Sequence, residues 1–412
     1  MDCNVKLLQK YAQIAVQMGV NIQTDQLLII NSPVTCAKFT RLCVEEAYRL
    51  GARQVIVHWQ DELCTKLDYA YVEADTLAQV PQWILDRKQN EIDRGCAYLH
   101  LASSIPSLLE NADPNKVKAV SLARQKAMKP FQNYTMANHG QWCIVGVPNV
   151  HWAQKVFPDL SEKEAMEKLW EAIFKTVYVE EENNSIAAWE KHNAEITARA
   201  DKLNQYNFKS LHFKNGIGTN LTVELIRDHI WSGGCEKTTT GVVFNPNMPT
   251  EEVFCMPLKK GVQGKVVSTK PLSYQGKLIQ QFTLEFKEGK AVCWQASNEE
   301  EILKSLLELD EGSAYLGEVA LISHDSPISK SGILFYDTLF DENASCHLAL
   351  GCAYPMNLKG GNQMTEEQLL EAGSNISMTH VDFMFGSNDM EVTGLTEDGN
   401  TIVIFKSGNF VF

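Results

Sequence analysis

Glu252, Glu318, His347, His380 and Asp382, all in the C-terminal half of a 412-residue chain, are the side chains whose types and settings point to chemistry. Glu318 lies in Leu316-Gly317-Glu318-Val319-Ala320-Leu321-Ile322, a run that is apolar apart from its one carboxylate. Burying an ionised carboxylate is costly unless it is paired or bound to a cation, and a divalent metal would supply that compensation. His380 and Asp382 stand two apart in Thr379-His380-Val381-Asp382-Phe383-Met384. On a strand such positions share a face, so imidazole and carboxylate would enter one pocket while Val381 and Phe383 face the other way. His347 sits among small and apolar neighbours in Asn343-Ala344-Ser345-Cys346-His347-Leu348-Ala349-Leu350-Gly351, and Glu252 in Pro249-Thr250-Glu251-Glu252-Val253-Phe254. Three carboxylates and two imidazoles form a mixed oxygen and nitrogen donor set that suits zinc, cobalt or manganese, with too few sulfurs for a structural zinc site. One of the carboxylates could bridge two ions.

Each piece also has a purely structural reading. Glu251 and Glu252 could be a solvated pair at a turn, a buried histidine is often satisfied by a backbone carbonyl, and a His–Asp pair can serve only to hold its surroundings. The other eight of the ten histidines, among them His58, His139, His151 and His229, lack comparable neighbours and read as structural or surface positions.

The elements that must position these residues follow from hydrophobic period and turn signals. An opening helix over Val5 to Met18, an apolar run Leu27 to Ile30, a helix from Ala37 to Leu50 and a second run Gln54 to His58 spell a βαβ unit, with Gly51 as the left-handed residue after the helix. Strands are expected at Ala97 to Leu101 and Gln141 to Val145, and a helix over Ser161 to Thr176 opens with a capping box from Ser161 and Glu164. After a further helix over Ala188 to Tyr206 the texture changes to short strands at 210–213, 219–226, 241–244, 264–268 and 280–286, separated by turns such as Lys214-Asn215-Gly216. The expected architecture is an α/β N-terminal domain of residues 1–195 and an α+β, largely antiparallel C-terminal catalytic domain of residues 196–412. Two domains also suit a chain of this length.

Composition removes several classes. A formal charge of −14 opposes a nucleic-acid partner, which needs a basic stripe. No stretch approaches the roughly 18 uninterrupted apolar residues of a membrane span, and the N-terminus lacks the basic start and apolar core of a signal peptide, so a cytoplasmic, membrane-free protein is expected. Eleven cysteines, scattered singly with no CxxC pair, read as reduced thiols. No GxGxxG or Walker sequence follows the first strand, which argues against a nucleotide site there.

At the candidate residues the chain closely resembles the aminopeptidase T family of metallo-aminopeptidases, also called AmpS or PepS, across its whole length. The blocks that carry the resemblance are Pro249-Thr250-Glu251-Glu252-Val253-Phe254, Gly317-Glu318-Val319-Ala320, Asp341-Glu342-Asn343-Ala344 through His347-Leu348-Ala349 to Gly351 and Tyr354, and His380-Val381-Asp382-Phe383-Met384, in the family's order. The resemblance implies metal ligands Glu252, Glu318, His347, His380 and Asp382, with Glu318 placed to bridge, and Tyr354 as a catalytic hydroxyl. It implies two divalent ions, a homodimer, and removal of single N-terminal residues, with broad preference, from peptides that have a free N-terminus. Glu252 is chosen over Glu251 because it directly precedes Val253-Phe254. Glu342, close to His347, is a candidate proton shuttle, extra ligand or orienting partner of the imidazole. The chain departs from the family at Cys255-Met256, where Thr-Ala or similar is expected, and modestly at Ser345 and Cys352. Two other readings share the ligand set: a different metal-dependent amidohydrolase or carboxypeptidase, and a non-catalytic peptide-binding protein with a structural ion. The N-terminal domain, which has no catalytic cluster of its own, is expected to serve dimer formation or to screen out large substrates.

Overall fold

The computed structural model describes residues 4–412 apart from Ser104, Ser107, Gly276 and the side chain of Asn133. The chain divides into two compact units, Met1–Lys191 with Cys235–Pro249, and His192–Gly234 with Thr250–Phe412.

The first unit is built on a five-stranded parallel sheet in the order Gln54–Gln60, Leu27–Pro33, Ala97–Ala102, Trp142–Gly146, Asn247–Met248. Leu27, Leu28, Ile29 and Ile30 are buried without alternation, as a strand covered by helices on both faces requires. The helix Val5–Ile14 runs on into a π turn at Ala15–Gly19, and Gly51 takes φ +91° just after the helix Ala37–Arg49. The capping box at Ser161 and Glu164 opens the helix Glu162–Thr176. Several helices arrive without a sequence expectation, among them Glu62–Tyr71, Gln82–Asp93 and Pro114–Met136. The first two bury only Tyr69 and Glu91 respectively, so they carry no apolar stripe from which a helical period could be read.

Among its described residues the second unit contains two larger antiparallel sheets and a hairpin of Leu272–Tyr274 with Lys277–Ile279. The larger has eight strands, Lys290–Gln295, Thr283–Lys287, Pro257–Val267, Asn220–Leu225, Phe208–Lys214, Glu391–Thr396, Thr401–Lys406 and Asn409–Phe410 in spatial order. The strand expected at 264–268 is the end of Pro257–Val267, which starts earlier because a register shift between Pro257 and Val262 absorbs the polar Lys259-Lys260-Gly261. The strand expected at 241–244 shrinks to Val243–Phe244.

The smaller sheet has four strands, β1 (Val253–Cys255), β2 (Leu316–Leu321), β3 (His347–Gly351) and β4 (His380–Met384), in that spatial order. Its inner face carries Val253, Cys255, Val319, Leu321, Leu348, Leu350 and Phe383. These share one core with Leu211, Phe213, Leu221, Val223, Val262 and Leu284 of the eight-stranded sheet. Fully burying each such aliphatic side chain contributes about 1.5–3 kcal/mol. The opposite face of the small sheet is left for polar work.

Among the described residues no helix is long and apolar enough to cross a membrane.

Candidate metal centre

Register assembles the polar face. Phe254 pairs with Ala320, Ala320 with His347, Glu318 with Ala349, Ala349 with Asp382, and Gly351 with His380. Because side chains alternate along a strand, Glu318, His347, His380 and Asp382 all project from one face, and Ala320, Ala349 and Gly351 clear the space between them. A β-bulge between Leu316 and Glu318 re-aims the carboxylate without breaking the sheet. Gly351 is required where it stands, at φ +110°, since a Cβ there would lie 2.1 Å from the Thr379 carbonyl oxygen. Glu252 joins from the residue before β1, two positions from Phe254 on the same face.

The five expected donors come together in two groups that share one member. Glu252, Glu318 and His347 each present a ligand atom within 4.8 Å of the others, and so do Glu318, His380 and Asp382. Glu318 Oε1 is 3.3 Å from His347 Nε2, while its Oε2 is 3.7 Å from His380 Nε2. Glu252 Oε2 lies 3.0 Å from His347 Nε2. Asp382 Oδ1 is 3.4 Å from His380 Nε2, yet it is buried and makes no hydrogen bond among the described residues. Both imidazoles are turned the same way by the backbone. His347 donates Nδ1–H to the Glu342 carbonyl at 3.0 Å, and His380 donates Nδ1–H to the Cys352 carbonyl at 2.7 Å. With Nδ1 engaged by an acceptor, Nε2 is the atom each ring offers to the carboxylates.

Electrostatics record the crowding. Burial pushes the Glu318 carboxyl up, the His347 bond opposes this, and the neighbouring Glu252 charge adds to it. Burial also pushes Glu342 well above the usual carboxyl range, reinforced by Asp382 and Glu252. Burial alone would lower the two histidines. Glu252 and Glu318 outweigh it at His347, which is raised well above the ordinary value, and Asp382 and Glu318 outweigh it at His380, which rises to about 9. For Asp382 burial acts upward, but His380 wins and the carboxyl is depressed. Tyr354, whose ring centroid is 4.8 Å from that of His380, has its hydroxyl pushed well above 10 by burial and then by Glu318 and Asp382, so it stays a proton donor. Four carboxylates thus face two imidazoles, and the buried Asp382 Oδ1 has no hydrogen bond among the described residues. A donor set of this kind fits divalent cations.

Glu251 and Glu252 are both buried, which removes the reading of a solvated pair at a turn. Glu251 is held by its backbone rather than set in the donor cluster: its N–H donates to Asn343 Oδ1 at 2.8 Å, and His192 Nε2 donates to the preceding Thr250 carbonyl at 2.7 Å. His192 and Asn343, which fix the segment that aims Glu252, were missed by sequence reasoning. They bridge 58 and 92 residues of chain, so no local spacing signals them. The family departures are accounted for as well. Cys255 and Met256 are buried in apolar clusters, and Ser345 and Cys352 meet the histidines through their carbonyl oxygens.

Comparisons with known proteins span nearly the whole chain. A family described as thermophilic metalloprotease (M29) matches residues 4–410. The chain is 45% identical over 412 residues to aminopeptidase AmpS of Bacillus subtilis (strain 168), covering 100% of both. It is 43% identical over 407 residues to aminopeptidase 2 of Geobacillus stearothermophilus, covering 99% of this chain and 98% of that one. The structure of wild-type AmpT from Thermus thermophilus superposes with a TM-score of 0.93 at 39% identity, covering 100% of each chain.

Proposed function

The chain belongs to the M29 family of metalloproteases, and from that premise we propose how its donor cluster performs the reaction of a metal-dependent aminopeptidase. It is a hydrolase of the exopeptidase class that removes N-terminal residues from peptides. In the proposed site Glu252, Glu318 and His347 would hold one divalent ion and Glu318, His380 and Asp382 a second, with Glu318 common to both sets. The observation that carries this reading is that the two oxygens of Glu318 face different histidines, at 3.3 and 3.7 Å. Zinc, cobalt and manganese all accept these donors.

Bound there, divalent ions polarise the scissile carbonyl and make water nucleophilic at neutral pH. The chain's own groups do the rest. The Glu342 and Cys352 carbonyls hold the two imidazoles with Nε2 inward, so the donors are in position before substrate arrives. Tyr354 keeps its proton and donates a hydrogen bond to the amide oxygen as the carbon becomes tetrahedral, a contribution of about 3 kcal/mol for one well-aimed donor. Glu342, which lies among the donors, is assigned to take a proton from the attacking water and deliver it to the departing amine. The free α-amine of the substrate meets the surplus carboxylates, which restricts cleavage to chain ends. Catalysis is assigned to the C-terminal domain, with a homodimer in the cytoplasm as the working state; sedimentation of the purified chain tests the dimer.

Paired peptides with free and acetylated N-termini test the reading. Turnover of the free peptides only, abolished by chelation and restored by adding metal, is the expected result. Equal cleavage of both would favour a carboxypeptidase or a general amidohydrolase.

A further inference from the structure

Tyr354 and His380, whose ring centroids lie 4.8 Å apart, meet beside one stretch of backbone, Gly351-Cys352-Ala353, at the end of β3. The Cys352 carbonyl accepts from His380 Nδ1, and Ala353 leads directly into Tyr354. Cys352, Ala353 and Tyr354 belong to no helix or strand, so contacts from elsewhere must fix their course. Asn375 supplies them. Its side chain is fully buried, with Nδ2 donating to the Gly351 carbonyl at 2.7 Å and to the Gly312 carbonyl at 2.8 Å. Its own backbone carbonyl accepts from the Ala353 N–H at 2.9 Å. One residue therefore grips the turn on both sides of Cys352. Resting on the aminopeptidase reading above, we propose that Asn375 is a positioning residue for two groups of the centre at once: the His380 imidazole, through the Cys352 carbonyl, and the Tyr354 hydroxyl, through the turn that precedes it.

The clamp is itself anchored. Asp310 accepts from the Met378 N–H at 2.6 Å and from Ser377 Oγ at 2.9 Å, and also from the N–H groups of Gly312 and Ser313 at 2.9 and 2.8 Å. Residues 310–313 and 375–378 are thus tied to each other before either meets the turn. Thr379, which precedes His380, adds a carbonyl that accepts from the Cys352 N–H at 2.7 Å. The residue type follows from the task. Two carbonyl oxygens converge on one buried spot, and a primary amide brings two N–H donors to them on a short side chain, whereas an ionised aspartate brings none and serine only one. Asn343 has the matching role on the other half of the centre, where it accepts from the Glu251 N–H at 2.8 Å and donates to the Leu339 carbonyl at 3.0 Å. The two buried asparagines divide the donors between them, Asn343 on the side of Glu252 and Asn375 on the side of His380. Loss of the Asn375 amide should therefore be felt by one set of donors and not by the other.

The test uses the full chain titrated with zinc, with the occupancy of each donor set read from anomalous scattering and kcat and KM measured on an unblocked dipeptide. Asn375→Ala removes the amide without adding charge. It should weaken zinc binding at Glu318, His380 and Asp382 by about tenfold, the lower end of what losing such an orienting partner costs, and leave Glu252, Glu318 and His347 at the wild-type affinity. At saturating zinc, with both sets filled, kcat should still be about tenfold down and KM little changed. That remaining loss should vanish in a Tyr354→Phe background, where the hydroxyl to be placed is gone. Asn375→Ser, a milder change, decides the matter if the alanine variant does not fold. Equal weakening of both sets, a kcat loss as large without the Tyr354 hydroxyl, wild-type values throughout, or failure of both variants to fold overturns the assignment and leaves the aminopeptidase reading intact. If wild type binds no zinc or cleaves no unblocked dipeptide, that reading falls and the assignment falls with it.

Discussion

The two units each set a histidine against a buried carboxylate, with opposite electrostatic outcomes. In the first unit Glu91 is met by His58 Nε2 at 2.6 Å, the Tyr98 hydroxyl at 3.0 Å, Arg87 Nε at 3.6 Å and Lys88 Nζ at 3.8 Å. Burial works to raise its carboxyl, yet His58 and Lys88 overcome this and hold it below the ordinary value. In the second unit Glu318 and Glu342 are surrounded by further carboxylates, and both are raised. A satisfied knot needs nothing more, whereas an acid-rich cluster with an orphaned oxygen is built for cations it does not supply. The histidine–carboxylate contact alone therefore does not mark a functional site; the surplus of charge around it does.

The comparison can be broken most severely at Glu318. Glu318→Gln should lower kcat/KM for an unblocked dipeptide by at least about a thousandfold, because a shared ligand serves both groups and such ions supply several kcal/mol of stabilisation. A loss of less than tenfold with full metal content would show that sharing is not required.

Stability separates the two regions next. Glu91→Gln should destabilise by about 3–5 kcal/mol, the usual effect of breaking a buried pair, while metal content stays at the wild-type level. In the metal-free protein, at pH values where Glu342 has lost its proton, Glu342→Gln should do the reverse and raise Tm, since it removes a repelled charge. Their pH dependences have opposite signs. The contribution of Glu91, whose folded pKa is depressed, is present above the ordinary carboxyl range and is lost as pH falls through the folded value. Glu342 is raised, so the metal-free chain loses stability as pH climbs above the ordinary carboxyl range and that proton leaves. The contribution of His380 is full below its ordinary 6.5 and is lost as pH rises to about 9. Thermal melts of chelated wild type should therefore decline between pH 6.5 and 9, and Glu342→Gln should flatten the decline. A wild-type curve that rises over that range would remove the argument from surplus charge.

The smallest effect is expected at Tyr354. Tyr354→Phe should lower kcat by about a hundredfold with KM little changed, as the loss of one oxyanion donor does. A change confined to KM would make the hydroxyl a substrate-binding group instead.

Much of the centre was legible in the sequence because its donors are anomalies of local pattern. Glu318 interrupts an apolar strand, and His380 and Asp382 share a face by the two-residue period, so chemistry and orientation are written within a few residues. Leu27 to Ile30 likewise declared a strand covered on both sides. What stayed hidden depends on contacts distant along the chain. His192 and Asn343 carry no local mark of their task, and the bulge ahead of Glu318 depends on the pairing with β3. Helices such as Gln82–Asp93 lack a buried apolar stripe, so period gave no signal, although that helix supplies Glu91.

Native mass spectrometry of wild type after metal titration tests the central claim most directly, by counting ions per chain. The two groups that share Glu318 call for two divalent ions on each chain, both removed by chelation. Saturation at a single ion, or no specific binding, would contradict the account.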